Sequence, residues 1–155
     1  MIETFHFTMA LPRTPRGNLI VGVLTYCENE KTVNAFQATS GCIGNQFHSC
    51  QNRKGKGCLP SHRQAGILHY TISTQKLWLP HVKGVEGSFF AISPFTVNIN
   101  GVSRGDFGVH FDANVPGSAA CVVLETQRGW TAYLKIMDEL KQRGRQSVPL
   151  YVDYN

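Results

Sequence analysis

Apolar and polar positions along the chain predict mainly β-strands. Residues 18–28, "NLIVGVLTYCE", form an apolar and β-branched run, and residues 31–41, "KTVNAFQATSG", alternate beyond a short polar turn. The two runs predict a β-hairpin. Further short strands are predicted over 67–73, 76–82, 88–93, 95–101, 107–112 and 147–154. Gly, Pro and Asn separate these closely spaced runs, which favours a compact antiparallel β-sandwich or barrel.

One segment departs from this pattern and predicts a helix. Over residues 126–144, apolar side chains recur at helical spacing, basic residues crowd the last turn, and Gly144 supplies a C-terminal stop. The apolar stripe consists of Trp130, Tyr133, Leu134, Met137 and Leu140. An amphipathic stripe of this kind predicts packing against the core rather than a cofactor site. We therefore expect one amphipathic helix near the C-terminus.

Residues 42–66 are rich in Gly, Cys and polar residues and predict a long loop, with the possible roles of a lid or a specificity insert. Three hypotheses fit its cysteines: a zinc site, a local disulfide, or free thiols. Tight ligand pairs such as C-x2-C are typical of structural zinc, whereas these cysteines lie eight positions apart, and we expect no metal. The residues concerned are Cys42, Cys50, Cys58, His48 and His62.

Composition narrows the class of protein. The chain has 155 residues, of which 42% are hydrophobic and 16% charged, which predicts one domain over residues 1–155. The formal net charge of +5 is spread along the chain, so a solvated basic surface is favoured over a nucleic-acid-binding β domain. No apolar run is long enough for a membrane helix, and no export signal is recognisable, so we expect a cytoplasmic product as encoded. The sequence does not predict the oligomeric state.

Candidate chemistry lies in "GDFGVHFDANVPGSAACVVLE", residues 105–125, which holds His110 and Cys121. A cysteine nucleophile requires a thiolate, a base to generate it, and backbone donors facing the oxyanion. The amides of Ala119, Ala120 and Cys121 follow a bend at Pro116 and Gly117 and are candidate donors. By spacing alone, a catalytic pair and an unrelated buried thiol and loop histidine are both consistent with this segment.

The order of these motifs resembles the L,D-transpeptidase catalytic domains, also called YkuD-like. Members carry an apolar strand ending in histidine, a loop, a Ser/Thr-His-Gly-Cys motif and another apolar strand; "FGVH" and "GSAACVVL" match these parts. Upstream, "ATSG", "GCLPSHRQAG" and "ILHYTIS" follow the family's order, so the resemblance spans about residues 18–127. It is strongest to a compact branch of phage and effector-like proteins with "GIH…D…PG(S/T)AGCI". The resemblance implies a mainly-β, single-domain fold of the L,D-transpeptidase type.

The resemblance also implies roles for particular residues. Cys121 would be the acylating nucleophile and His110 its proton partner, with the carbonyl of Phe111 orienting the imidazole. Gly117, Ser118, Ala119 and Ala120 would shape the oxyanion and substrate site, and Arg104 and Asp112 would line the cleft as substrate-contact or loop-bracing residues. Two positions depart from the family pattern. Ala119 replaces a histidine, and Ala120 replaces a glycine where positive φ or close approach is favoured.

The implied activity is cysteine-dependent acyl transfer on peptidoglycan stem peptides, without a cofactor. The thioester on Cys121 would pass to an amine, as in a transpeptidase, or to water, as in a carboxypeptidase. Action at the cell wall would require lysis, injection or another export route. The alternative is a catalytically inactive binding module of phage or effector origin, which the alanine at position 120 favours.

Overall fold

The computed structural model describes residues 1–112 and 120–155. Within these ranges the chain forms eleven strands and one α-helix. They are β1 (Glu3–Met9), β2 (Gly22–Glu28), β3 (Lys31–Thr39), β4 (Tyr70–Ser73), β5 (Leu77–Leu79), β6 (Gly87–Ser93), β7 (Thr96–Ile99), β8 (Val102–Gly105), β9 (Gly108–Phe111), β10 (Val122–Leu124), α1 (Gln127–Gln142) and β11 (Ser147–Tyr154). The mainly-β prediction with one helix is confirmed.

The strands form a closed, mixed sheet. In the described part of the chain, nine strands follow the order β4-β11-β1-β2-β3-β10-β9-β6-β5, and a further pairing of β4 with β6 closes eight of them into a ring. Strands β7 and β8 form a separate hairpin. The prediction of an antiparallel arrangement is wrong at two places, because β1 pairs with β11 and β9 with β10 in parallel. Both parallel pairs join strands that are distant in sequence or separated by a long connection, which local patterns do not reveal.

Two tight turns build the hairpins. The predicted β2–β3 hairpin is confirmed, and its turn residues Asn29 and Glu30 have φ of 51° and 67°. Left-handed values at both positions are typical of the two-residue turns that match strand twist. The single strand predicted over 95–101 is wrong in its extent. The chain turns at Asn100 and Gly101, whose φ values are 51° and 85°, and returns as β8.

The helix packs its apolar face into the main core. Trp130, Tyr133, Met137 and Leu140 are buried, as predicted. The ring of Tyr133 contacts those of Phe5, Phe36 and Phe90, which belong to β1, β3 and β6. Because these strands are not neighbours in the sheet, α1 covers an opening of the closed ring.

Local signals set both ends of α1. The side chain of Thr126 accepts a hydrogen bond from the amide of Gly129 at 3.0 Å, which caps the first turn. Gly144, with φ of 84°, follows the last turn, as the sequence predicts. Over residues 1–112 and 120–155, no helix has the length and apolarity needed to cross a membrane.

The segment 42–66 is irregular, as predicted, with a single short 3-10 turn at Cys50–Asn52 in the described structure. Part of the segment nevertheless lies in the core, which a loop of polar and Gly residues does not predict. Cys50, Cys58 and Leu59 are fully buried members of the main apolar cluster. This segment therefore contributes to the core as well as to the surface.

Two buried tyrosines provide a matched test of this packing. The hydroxyl of Tyr133 has no hydrogen-bond partner among the described residues, whereas that of Tyr70 donates to the Pro60 carbonyl at 2.8 Å. Removing an unpaired buried hydroxyl removes its desolvation penalty, so Tyr133→Phe should leave the free energy of unfolding unchanged or raise it by about 1 kcal/mol. Tyr70→Phe should lower it by about 1 to 2 kcal/mol, because a buried carbonyl loses its donor. Urea denaturation measures both, and equal losses would contradict the assignment.

Candidate active site

The pairing of β9 with β10 places His110 and Cys121 on one face of the sheet. The strands run parallel, with Val122 opposite Val109 and Val123 opposite His110. Val109 and Val122 belong to the main core. Because successive side chains in a strand alternate between faces, His110 and Val123 point to the other side, and Cys121, two positions before Val123, points there too.

A second apolar cluster confirms this placement. Phe89, Cys121 and Val123 are buried together, separate from the main core. The ring of Phe89 stacks against the imidazole of His110, with centroids 6.2 Å apart and planes inclined by 22°. Strand spacing puts the Cα atoms of His110 and Cys121 about 8 Å apart, within reach of a histidine and a cysteine side chain. Both are shielded from water, with exposed fractions of 1% and 6%.

The imidazole of His110 is oriented by the next residue's backbone. Its Nδ1 lies 2.9 Å from the Phe111 carbonyl oxygen, so Nδ1 carries the proton and donates it. The lone pair is then on Nε2, which is buried and has no hydrogen-bond partner among the described residues. Burial lowers the pKa of His110 from its ordinary 6.5, although the Phe111 carbonyl and Asp112 oppose this. His110 is therefore a neutral base at pH 7.

The backbone around Cys121 is bent and tied to its neighbours. The thiol donates to the carbonyl oxygen of Asp106 at 3.5 Å. The preceding residue, Ala120, has φ of 65°, in the left-handed region that favours glycine. Its amide donates to the Gly57 carbonyl at 3.0 Å and is thereby engaged away from an oxyanion. The left-handed turn at Ala120 brings the chain into β10 with Cys121 on the face that His110 occupies.

Arg104 lies inside the protein and holds the segment 42–66 in place. Only 1% of its surface is exposed, and its guanidinium donates to the carbonyls of Gly57 at 2.9 Å, Cys58 at 3.2 Å and Gln51. Of the two roles considered from sequence, these contacts favour bracing of the loop over contact with substrate. Since the Gly57 carbonyl also accepts from Ala120, Arg104 connects to the residue before Cys121 through one shared oxygen.

Gly57 leaves no room for a side chain at this junction. A Cβ atom there would stand 1.9 Å from the carbonyl oxygen of Cys50, which is backbone and cannot move aside cheaply. The segment is pinned further along by the Ser40 hydroxyl, which accepts from the Leu59 amide at 2.8 Å, and by Tyr154, which donates to the Leu59 carbonyl. The loop beside Cys121 is thus fixed by buried side chains.

Two carboxyl groups extend the same face. Asp112 follows His110 by two positions and Glu125 follows Val123 by two, so alternation places both beyond His110. Burial and the neighbouring charge of Asp112 raise the pKa of Glu125 to about 7. Sequence reasoning selected Asp112 and missed Glu125. The alternation of Cys121, Val123 and Glu125, which spans β10 and one residue on either side of it, is the signal that would have found it.

Two sets of predictions remain, those for the loop before Ala120 and those for a zinc site. Gly117, Ser118 and Ala119 lie outside the described residues. For the zinc hypothesis, no group of three or more His, Cys, Asp or Glu side chains converges on a metal position within 1–112 and 120–155. His62 instead uses Nδ1 against the backbone of Val152, at 2.8 Å from its carbonyl oxygen.

The left-handed backbone at Ala120 predicts an unusual response to glycine. Ala120→Gly relieves a cost of about 1 to 2 kcal/mol and loses one buried methyl group, worth about 0.8 kcal/mol, so the free energy of unfolding should stay level or rise slightly. The matched control is Ala38→Gly, a fully buried alanine in β3. It should lower the free energy of unfolding by about 1 to 2 kcal/mol, since it loses a methyl group without relief of strain. Similar losses in both variants, measured by urea denaturation, would refute strain at position 120.

Glu125 predicts a pH-dependent stability. Folding raises the pKa of Glu125 from 4.5 to about 7, so the folded state binds the proton of this carboxyl more tightly than the unfolded chain does. The stability that this proton binding provides is lost as pH rises between these two values. Glu125→Gln stays neutral. Relative to wild type, this variant should gain about 1 kcal/mol between about pH 5 and pH 7.5, a figure reduced for partial hydration. The lowered pKa of His110 makes stability increase with pH. This effect is the same in wild type and in Glu125→Gln, so it cancels when their free energies of unfolding are subtracted. A constant difference across this range would contradict the raised pKa.

Comparison with known proteins gives no independent identification of this site. A scan of the chain against models of protein families finds no match. A search of curated proteins finds no match either. What the site does is therefore inferred from its residues and their geometry.

Proposed function

We propose that the protein is a cysteine-dependent acyltransferase of the L,D-transpeptidase type, with Cys121 as nucleophile and His110 as base. One observation carries the proposal: parallel pairing of β9 and β10 puts both side chains on one face, with the Nε2 lone pair of His110 uncommitted among the described residues. A base and a nucleophile on one shielded face are the minimum that covalent catalysis requires.

The first step is activation and attack. The thiol of Cys121 turns from the Asp106 carbonyl to Nε2 of the neutral imidazole, which accepts its proton. The Phe111 carbonyl holds Nδ1–H and stabilises the imidazolium that forms. The thiolate then attacks a substrate carbonyl to give a tetrahedral oxyanion. Since the amide of Ala120 is engaged by Gly57, the amide of Cys121 is the donor we assign to the oxyanion.

The second step is collapse and acyl transfer. The imidazolium returns its proton to the departing amine, and a thioester remains on Cys121. His110, neutral again, deprotonates the acceptor, which is an amine for cross-linking or exchange and water for carboxypeptidase action. Phe89, Val123 and the aliphatic surroundings of Cys121 limit water near the thioester.

The substrate class rests on the resemblance of the motifs. "FGVH" and "GSAACVVL" follow the order of the L,D-transpeptidase domains, which act on peptidoglycan stem peptides next to a D-configured centre. We therefore assign such peptides as substrates and the cell wall as the place of action. A positive φ at Ala120, where those domains have glycine, supports the same backbone shape at this position.

Covalent capture by a carbapenem tests the proposal. Intact mass should show one adduct on wild type and none on Cys121→Ala. His110→Gln keeps a polar side chain but provides no base, so adduct formation should slow by about 10²-fold or more. The wild-type rate should rise with pH and reach half its maximum below pH 6.5, since His110 must be neutral.

Cys42→Ser is the matched control, because Cys42 is a partly exposed thiol that does not belong to the proposed pair, and this variant should react like wild type. Digestion of peptidoglycan tetrapeptides provides a second readout. If wild type forms no adduct and leaves tetrapeptides intact, the enzymatic proposal fails, and the inactive binding module becomes the better interpretation. An adduct on wild type that persists in Cys121→Ala would also refute the assignment.

A further inference from the structure

Cys50 and Cys58 form a thiol pair that the proposed acyl transfer does not use. Their sulfur atoms lie 2.9 Å apart, in hydrogen-bond contact. Both residues are fully buried in the main core, and both are free thiols. The pair stands at the two ends of a short irregular stretch that begins with the 3-10 turn Cys50–Asn52.

The surroundings make the two thiols unequal. Either thiol can donate in the contact between the two sulfur atoms. With Cys50 as the acceptor, the hydrogen bond from Cys58 and the nearby guanidinium of Arg104 lower the pKa of Cys50 to about 6, although burial opposes this. The hydrogen bond with Cys50 and desolvation raise the pKa of Cys58. Cys50 is therefore the more readily ionised member, and a thiolate is the reactive form of cysteine.

We propose that Cys50 and Cys58 are a redox-active dithiol that closes to an intramolecular disulfide, a modification site that anchors the loop beside Cys121. Contact between the two sulfur atoms, with both side chains directed at each other from one loop, carries the proposal. The oxidant we assign is a disulfide of low molecular mass, such as oxidised glutathione.

The reaction balances as two thiol–disulfide exchanges. The Cys50 thiolate attacks one sulfur of oxidised glutathione, which forms a mixed disulfide and releases one glutathione thiolate. Cys58 then loses its proton and attacks the sulfur of Cys50, releasing the second glutathione. Two electrons pass from the protein to the oxidant, and the two cysteine protons end on two reduced glutathione molecules.

Burial of both sulfur atoms determines when this reaction occurs. An oxidant reaches them only when the segment 42–66 is open, so closure is fast during refolding and slow in the folded, reduced protein. The same burial protects the finished disulfide from reductants. We therefore expect native reduced protein to oxidise at least about tenfold more slowly than protein that refolds in the same buffer.

The disulfide would act on the backbone next to the proposed nucleophile. Gly57, adjacent to Cys58, accepts from the amide of Ala120 and from Arg104. Fixing Cys58 to Cys50 holds this carbonyl in place even when Arg104 is disturbed. Only this consequence for Cys121 rests on the proposed function; formation of the disulfide does not.

Refolding in a glutathione redox buffer tests the proposal. Intact mass should fall by two hydrogen atoms, and alkylation after denaturation should label three of the five cysteines. Trypsin cuts after Arg53, Lys54 and Lys56, which separates Cys50 from Cys58, so their peptides stay joined only through the disulfide. Oxidised protein should melt about 5 °C above reduced protein.

Matched variants assign the bond. The tryptic peptide of Cys50 also contains Cys42, so Cys42→Ser must keep the linked peptide and the mass loss, whereas Cys50→Ser and Cys58→Ser must lose both. Five labelled cysteines in refolded wild type, or a link that requires Cys42, would overturn the proposal. Carbapenem adducts on reduced wild type are scored separately. A missing disulfide with normal adducts refutes this inference alone, and a disulfide without adducts refutes only the acyltransferase proposal.

Discussion

The parallel register of β9 against β10 is the constraint on which the candidate site depends. Val109 and Val122 are fully buried in the main core, and each contributes about 1.5 to 3 kcal/mol by leaving water. A slip of one residue would turn these side chains outward, and it would turn His110 or Cys121 into the core. The apolar residues that fold the sheet therefore also decide that the histidine and the cysteine share a face.

A second constraint fixes the loop beside this face. Arg104 is buried without a carboxylate partner among the described residues, and its guanidinium donates to backbone carbonyls of the segment 42–66. A buried guanidinium is costly unless its donors are satisfied, so the loop and the arginine stabilise one another. Through Gly57, this arrangement reaches Ala120, where the chain takes the left-handed conformation that precedes Cys121.

Features with local causes were predictable from sequence, and features that depend on distant partners were not. The helix followed from its apolar spacing and Gly144, and the β2–β3 hairpin from its alternation. Strand β1, which pairs with β2 as well as with β11, was missed although Phe5, Phe7 and Met9 alternate along it. His110 and Cys121 were selected as candidates from their order in the sequence, but the inward position of Arg104 and the raised pKa of Glu125 depend on tertiary packing.

The ring of strands has a consequence for how the chain is made. Strand β11 lies between β1 and β4, so a segment made long after β1 separates these two strands in the sheet. Until Ser147–Tyr154 emerge, β1 lacks its parallel neighbour, and Phe5 and Phe7 lack part of the core in which they are buried. Ring closure therefore follows the synthesis of β11, and the sheet that carries the proposed nucleophile is complete only once this strand has emerged.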